Sequence, residues 1–178
     1  EEPTSIGVRS KSFYGGFDRY MSGFEEDAEF IRIRKVYPGS YWLTHRPPTI
    51  AHPSHDPMHT YRRTPEHISF NTLAEAGIRM YHYSYVFPEQ VKQKISYYKS
   101  SVSKENCIDE YYENIYSPWV KNPSKREEIE KKWSGVHEFK PGVRGDCYTR
   151  VFGGKHPKII EDSIESLQEK FNNQLEVM

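Results

Sequence analysis

Residues 78–87 read Ile-Arg-Met-Tyr-His-Tyr-Ser-Tyr-Val-Phe, the clearest alternating stretch in the chain. Alternation at period two predicts a strand with Met80, His82, Ser84 and Val86 on one face. Arg79, Tyr81, Tyr83, Tyr85 and Phe87 then share the other. Pro88 opens the next segment, where Val91, Ile95 and Tyr98 recur at helical spacing, which predicts a helix over 89–100. Two further helices are expected over 108–116 and 124–133, the second with acids leading and lysines trailing. A last amphipathic helix over 157–174 carries Ile160, Ile164, Leu167 and Phe171 as its stripe.

Upstream the pattern is less regular. Residues 1–23 predict a strand or extended arm running into a turn at Gly15-Gly16. Ser22 followed by Glu25, Glu26 and Asp27 suits a helix start, so a helix is expected over 26–36, ended by Pro38-Gly39. Tyr41-Trp42-Leu43 has strand character. Prolines at 47, 48, 53 and 57 exclude a helix or central strand there and predict a surface loop. Residues 65–79 are ambiguous, with Ala74-Glu75-Ala76-Gly77 resembling a helix end with a glycine stop.

Composition narrows the classes. The 178 residues suffice for an ordinary core, and 25 basic against 25 acidic side chains create no global field for nucleic acid or an anionic membrane. Aromatics reach 15%, with 14 Tyr and 3 Trp, while the mean hydropathy is −0.87. Such a chain either lines flat-faced sugar sites with tyrosine or uses tyrosine in place of aliphatic core residues. Two cysteines, Cys107 and Cys147, make no disulfide scaffold and fit reduced thiols in the cytoplasm. No apolar run has the length of a membrane span, and no leader-type segment is visible.

Three groups of residues carry candidate chemistry. His52, His55, Asp56 and His59 have the ligand types of a metal site, set in a loop interrupted by Pro53 and Pro57. That arrangement reads as a metal-dependent hydrolase site or as a polar loop. His82, in mid-strand, reads as a hydrogen-bonded core histidine or as a metal ligand. Glu26 and Asp27 read as a solvated helix cap or as an acid–base pair.

The ordered set of Gly15-Gly16-Phe17-Asp18, Glu26-Asp27 and Tyr81-His82-Tyr83-Ser84-Tyr85-Val86 continues into Pro118-Trp119-Val120 and residues 133–139. Arg144-Gly145 and Phe152-Gly153-Gly154-Lys155-His156-Pro157 complete it. Together these segments resemble the C-terminal, acceptor-side half of bacterial inverting family 2 glycosyltransferases with the GT-A fold. The resemblance spans most of the chain from Phe13 to about Ile160. It implies an α/β fold, seen here as α+β with few strands and several helices. Residues 1–102 form the acceptor-side half of the catalytic domain, and 103–178 a helical extension packed on it.

The implied activity is transfer of a sugar from a nucleotide-diphospho-sugar to an acceptor hydroxyl with inversion, as in polysaccharide biosynthesis. Asp27 is then the general base, helped by Glu26. His82 becomes a ligand of Mg²⁺ or Mn²⁺ on the donor diphosphate, with Trp42, Gly16, Tyr83, Arg144 and His137 around the substrates. One departure matters: no Asp-x-Asp pair occurs in the 178 residues. The nucleotide-binding half is therefore expected in other sequence, on the same or another chain. The alternative is a non-catalytic carbohydrate-binding or assembly module derived from this half.

Overall fold

A computed structural model describes residues 5–23, 29–36, 38–44, 49–51, 67–101, 111–136 and 147–177. The chain is mixed α+β, with a small, mostly antiparallel sheet and several helices. In chain order the strands are β1 Ser5–Tyr14, β2 Arg19–Met21, β3 Glu29–Arg34, β4 Tyr41–Thr44, β5 Thr49–Ala51, β6 His67–Ile68, β7 Met80–Tyr85 and β8 Thr149–Val151. The α-helices are α1 Phe70–Glu75, α2 Pro88–Ser101, α3 Ser117–Lys121, α4 Arg126–Trp133, α5 Lys158–Glu161 and α6 Ile164–Glu176. Among the described residues no helix is long and apolar enough to cross a membrane.

The chain forms two compact units that interleave along the sequence. The first holds Glu1–Arg9 and Glu29–Met80, the second Ser10–Ala28 and Tyr81–Met178. In the first, the opening half of β1 pairs antiparallel with β3, from Ser5 opposite Arg34 to Arg9 opposite Glu29, and parallel with β6. Ser5 Oγ meets His67 Nδ1 at 2.8 Å beside that parallel pairing, and the Arg9 guanidinium lies 4.1 Å over Phe70. β4 and β5 make a separate two-stranded ribbon. A strand thus sits within the proline-rich segment, where pairing on one side only tolerates neighbouring prolines.

The helix expected over 26–36 is not formed: residues 29–34 are strand β3. Ile31 and Ile33, branched at Cβ, alternate with Arg32 and Arg34, and this period-two pattern with its partner in β1 outweighs the acids upstream. Ser22 is correspondingly no helix cap. Its hydroxyl donates to the Tyr148 carbonyl at 2.6 Å, and its backbone N–H meets the same oxygen at 2.7 Å.

In the second unit, Phe13 of β1 pairs with Tyr20 of β2, β2 pairs antiparallel with β8, and β7 also pairs with β1. Strand alternation gives this sheet two faces. Tyr14 and Met21 face a core with Val91, Ile95, Tyr111, Ile115, Tyr116, Trp119, Val120 and Val136. Phe13 and Tyr20 face the other way, where Ile160, Ile164, Leu167 and Phe171 cover them. The stripes expected on α2 and α6 are the ones that pack. At the end of β7 the expected alternation breaks: Tyr85 joins the first cluster and Val86 the second. The Val86 N–H turns back to the Tyr83 carbonyl there, so the strand geometry has ended.

Two helices depart from expectation. The helix expected over 108–116 is π-helical over Tyr112–Tyr116 and runs on into α3. Pro118 lacks the N–H that an α-helical ladder needs, and a wider turn before it relieves the clash of its ring with the preceding backbone. The last helix is interrupted at Asp162 and Ser163, leaving α5 and α6 in its place.

Candidate functional site

The polar side of β7 centres on His82. Ser84 Oγ lies 2.5 Å from its Nε2 and Ser12 Oγ 3.4 Å from its Nδ1. Ser12 continues to Ser10 at 3.4 Å, and both serines are buried. Alternation explains the grouping, since Ser10 and Ser12 share a face of β1 while His82 and Ser84 share a face of β7.

The opposite side is aromatic. Phe13 stacks on Tyr83 with centroids 4.7 Å apart and planes 9° from parallel, while Phe152 meets it edge-on at 5.0 Å. The His156 ring lies 4.8 Å from Phe13. His156 Nε2 is 2.9 Å from the Phe17 carbonyl, and Nδ1 is 2.8 Å from the Tyr83 hydroxyl. A carbonyl only accepts, so Nε2 carries the proton and Nδ1 accepts from Tyr83. The protonation equilibria agree. Burial holds His156 below its ordinary value against the opposing pull of the Phe17 carbonyl and Glu161, which favours neutral imidazole. Burial, then Tyr81, pushes the Tyr83 phenol up to about 12, so it keeps the proton it donates. His156 thereby ties the Gly-Gly-Phe-Asp turn to β7.

That turn is shaped by packing. Gly15 has φ +60°, its N–H donates to the Tyr85 carbonyl at 2.8 Å, and a Cβ there would stand 2.4 Å from the Trp119 ring. Gly16, with φ +149°, would bring a Cβ to 3.0 Å from Asp18 Oδ1. Trp119 is fully buried and donates Nε1–H to Glu130 at 2.7 Å. Glu130, itself buried, also accepts from the Thr149 backbone N–H at 2.9 Å and from the Thr149 hydroxyl at 2.5 Å. Three donors compensate its desolvation.

The buried tyrosines are core residues. Tyr111 donates to the Val136 carbonyl at 3.2 Å, so Tyr14 donates to the Tyr111 oxygen at 3.0 Å, and Tyr116 donates to the Val86 carbonyl at 2.6 Å. Burial raises all three phenols well above their ordinary value. In this core tyrosine replaces aliphatic residues and keeps each hydroxyl partnered.

Of the residues singled out in the sequence, Gly16, His82 and Tyr83 lie in the second unit. Tyr83 has its hydroxyl engaged by His156 and one ring face against Phe13. Trp42 belongs to the first unit, where it is 67% exposed on β4 beside Tyr41 at 48%. Glu26, Asp27, His137 and Arg144 lie outside the described residues, as do the His52–His59 loop and Cys107. Cys147 is buried.

Sequence reasoning passed over Ser12, Ser84, His156 and Glu130. The motif at 152–157 contains His156, which was a usable signal. Nothing in the spacing distinguishes Glu130 from Glu127 and Glu128.

Among the described residues no group of three His, Cys, Asp or Glu side chains is assembled to hold a metal. Both ring nitrogens of His82 face serine hydroxyls, Nε2 that of Ser84 and Nδ1 that of Ser12. No family model, curated protein or solved structure matches the chain.

Proposed function

We propose that this chain is the acceptor-side half of a GT-A, family 2 inverting glycosyltransferase, active when joined to a nucleotide-binding half. The reading rests on the ordered motifs, and above all on the segment from Tyr81 to Pro88. There a strand carries His82 on its polar face and leads straight into the 14-residue helix α2. Asp27 takes the proton of the acceptor hydroxyl as that oxygen attacks the anomeric carbon from the side opposite the diphosphate, and Glu26 orients the acceptor. A base in this position must be ionised near neutral pH and within hydrogen-bond reach of the attacking oxygen. The role of Asp27 rests on the motif alone, since strand β3 begins two residues after it.

A divalent cation, Mg²⁺ or Mn²⁺, supplies charge neutralisation on the leaving diphosphate. His82 is the residue of this chain that would hold it. Gly16, Tyr83, His137 and Arg144 surround the substrates, and such an enzyme meets its donor in the cytoplasm. The carboxylate pair absent from these 178 residues comes from the nucleotide half.

The test is release of nucleoside diphosphate from a panel of nucleotide-sugars with Mn²⁺, using the chain together with its nucleotide half. Asp27→Asn is expected to lower kcat by about 10²–10⁴-fold. His82→Ala is expected to abolish the response to Mn²⁺. Unchanged metal stimulation in that variant removes the ligand role.

The exposed Tyr41 and Trp42 favour a second reading, a non-catalytic carbohydrate-binding or assembly module, in which flat aromatic faces stack on sugar rings. Trp42→Ala would then abolish oligosaccharide-induced fluorescence change while stability moves by less than about 0.5 kcal/mol. Binding that survives the substitution contradicts that reading. The module would also ignore nucleotide-sugars and metal.

A further inference from the structure

The side of the β2–β8 pair that faces Trp119 carries an arginine, Arg19, and a second, Arg126, lies on Trp119 itself. No step of the proposed reaction uses either. Arg19 and Thr149 share that face with Met21, since Met21 stands opposite Thr149 and Arg19 opposite Val151. Arg19 donates from Nε to Thr149 Oγ1 at 3.0 Å and from Nη2 to the Thr149 carbonyl at 3.3 Å. Arg126, the first residue of α4, donates from Nε to the Trp119 carbonyl at 3.2 Å, and its guanidinium lies 4.1 Å over the Trp119 ring. Thr149 and Trp119 both donate to Glu130, so one buried carboxylate fixes the residues on which both guanidiniums rest.

The two cations are close enough to act on each other. Burial lowers the Arg126 value, Asp18 opposes this, Arg19 lowers it further and Glu130 opposes it. Glu130 is spent on its three donors, and Asp18 is exposed to water. Among the described residues neither carboxylate meets a guanidinium directly. A guanidinium has five N–H groups. Arg126 spends one on the protein and Arg19 spends two, which leaves four and three without an acceptor among the described residues. Both side chains are half-buried, so these groups are held in place and still reachable.

We propose that Arg19 and Arg126 form a binding site for a phosphate group, carried by a small phosphate monoester or a diphosphate. Two forks anchored at Nε present their remaining N–H groups as paired donors, the geometry that suits an oxyanion. Those donors outnumber the roughly four lone-pair positions of a carboxylate, whereas a terminal phosphate offers three oxygens and a second negative charge. A bound phosphate also offsets the repulsion between Arg19 and Arg126. The site stands apart from the transferase reading, because neither arginine has a role there.

The test is a titration of the ¹⁵N-labelled chain with inorganic phosphate, pyrophosphate and acetate at constant ionic strength, read at the arginine Nε–H signals. Phosphate or pyrophosphate is expected to give saturable shifts at Arg19 and Arg126, with acetate binding about tenfold more weakly. Tighter binding of pyrophosphate assigns the site to diphosphates, and tighter binding of phosphate to monoesters. Arg126→Lys keeps the charge and loses the fork, and is expected to weaken binding about tenfold or more, the size of one charge-assisted hydrogen bond. Arg19→Gln is expected to weaken it at least as much. A backbone ¹H–¹⁵N spectrum unaltered away from the substitution establishes that each variant is folded, and if Arg126→Lys fails that check, Arg19→Gln decides. No saturable shift at the two arginines of the parent chain overturns the site, as does equal phosphate affinity in the parent and Arg19→Gln. Acetate bound as tightly as phosphate overturns the phosphate assignment. Shifts confined to the exposed Lys121 and Lys125 mark an adventitious ion only, and overturn it too.

Discussion

Gly15 is the residue whose sequence context and packing agree most closely. Its φ of +60° and the Trp119 ring 2.4 Å from an added Cβ leave space for hydrogen alone. Gly15→Ala combines backbone strain with a clash against a fully buried indole, and should cost about 2–4 kcal/mol in urea unfolding. A cost below that of a surface substitution would show that the turn is not held against Trp119. His156 makes a prediction of a different kind. Its folded-state value lies below the ordinary 6.5, so as pH falls the unfolded chain takes up the proton first. Its contribution to stability is complete above 6.5 and declines as pH drops from there toward the lower folded value. His156→Gln should lack that part of the slope in a series of urea midpoints against pH. An identical slope in both proteins would mean His156 does not titrate from this network. The double hydrogen bond of His156 could not be read from the chain, because Phe17 and Tyr83 lie 139 and 73 residues away from it.

Elements were legible where one period dominated and illegible where two competed. The stripes Val91–Ile95–Tyr98 and Ile164–Leu167–Phe171 named the packed faces of α2 and α6, and Ile160 of the second stripe falls on α5, because those faces repeat at one spacing. Strand β3 was concealed by acids that resemble a helix start. Only its pairing with β1, about 25 residues away, reveals the alternation of isoleucine and arginine as the stronger signal. β2 and β8 are three residues each, too short for a period, and exist because they pair with each other. The end of α4 offers a direct check. Ser134 closes it in the left-handed region at φ +54°, a conformation that suits glycine. Ser134→Gly relieves about 1–2 kcal/mol of left-handed strain, more than the entropy glycine adds to the unfolded chain, and should raise the thermal midpoint. A lower midpoint would mean the serine side chain contributes more than its backbone strain costs.

For the whole molecule, charge balance and aromatic content excluded more than they selected. The aromatics that suggested a sugar pocket are divided: Tyr14, Tyr111 and Tyr116 fill the core of the second unit, while Tyr41 and Trp42 stand exposed in the first. Composition cannot separate these uses, since the same ring and hydroxyl serve both. The face of β7 that carries His82 and Ser84 was legible in its alternation. The serine contacts of His82 were not, because a serine on a strand has no sequence signature for the histidine it will meet. The functional account depends on Asp27 removing a proton from an acceptor alcohol. Its most direct test compares nucleoside diphosphate release by the parent and Asp27→Asn proteins, each with the nucleotide half present and with matched thermal midpoints. The account predicts a kcat lower by about 10²–10⁴-fold in the variant at unchanged donor affinity. Equal kcat values in the two proteins would contradict it.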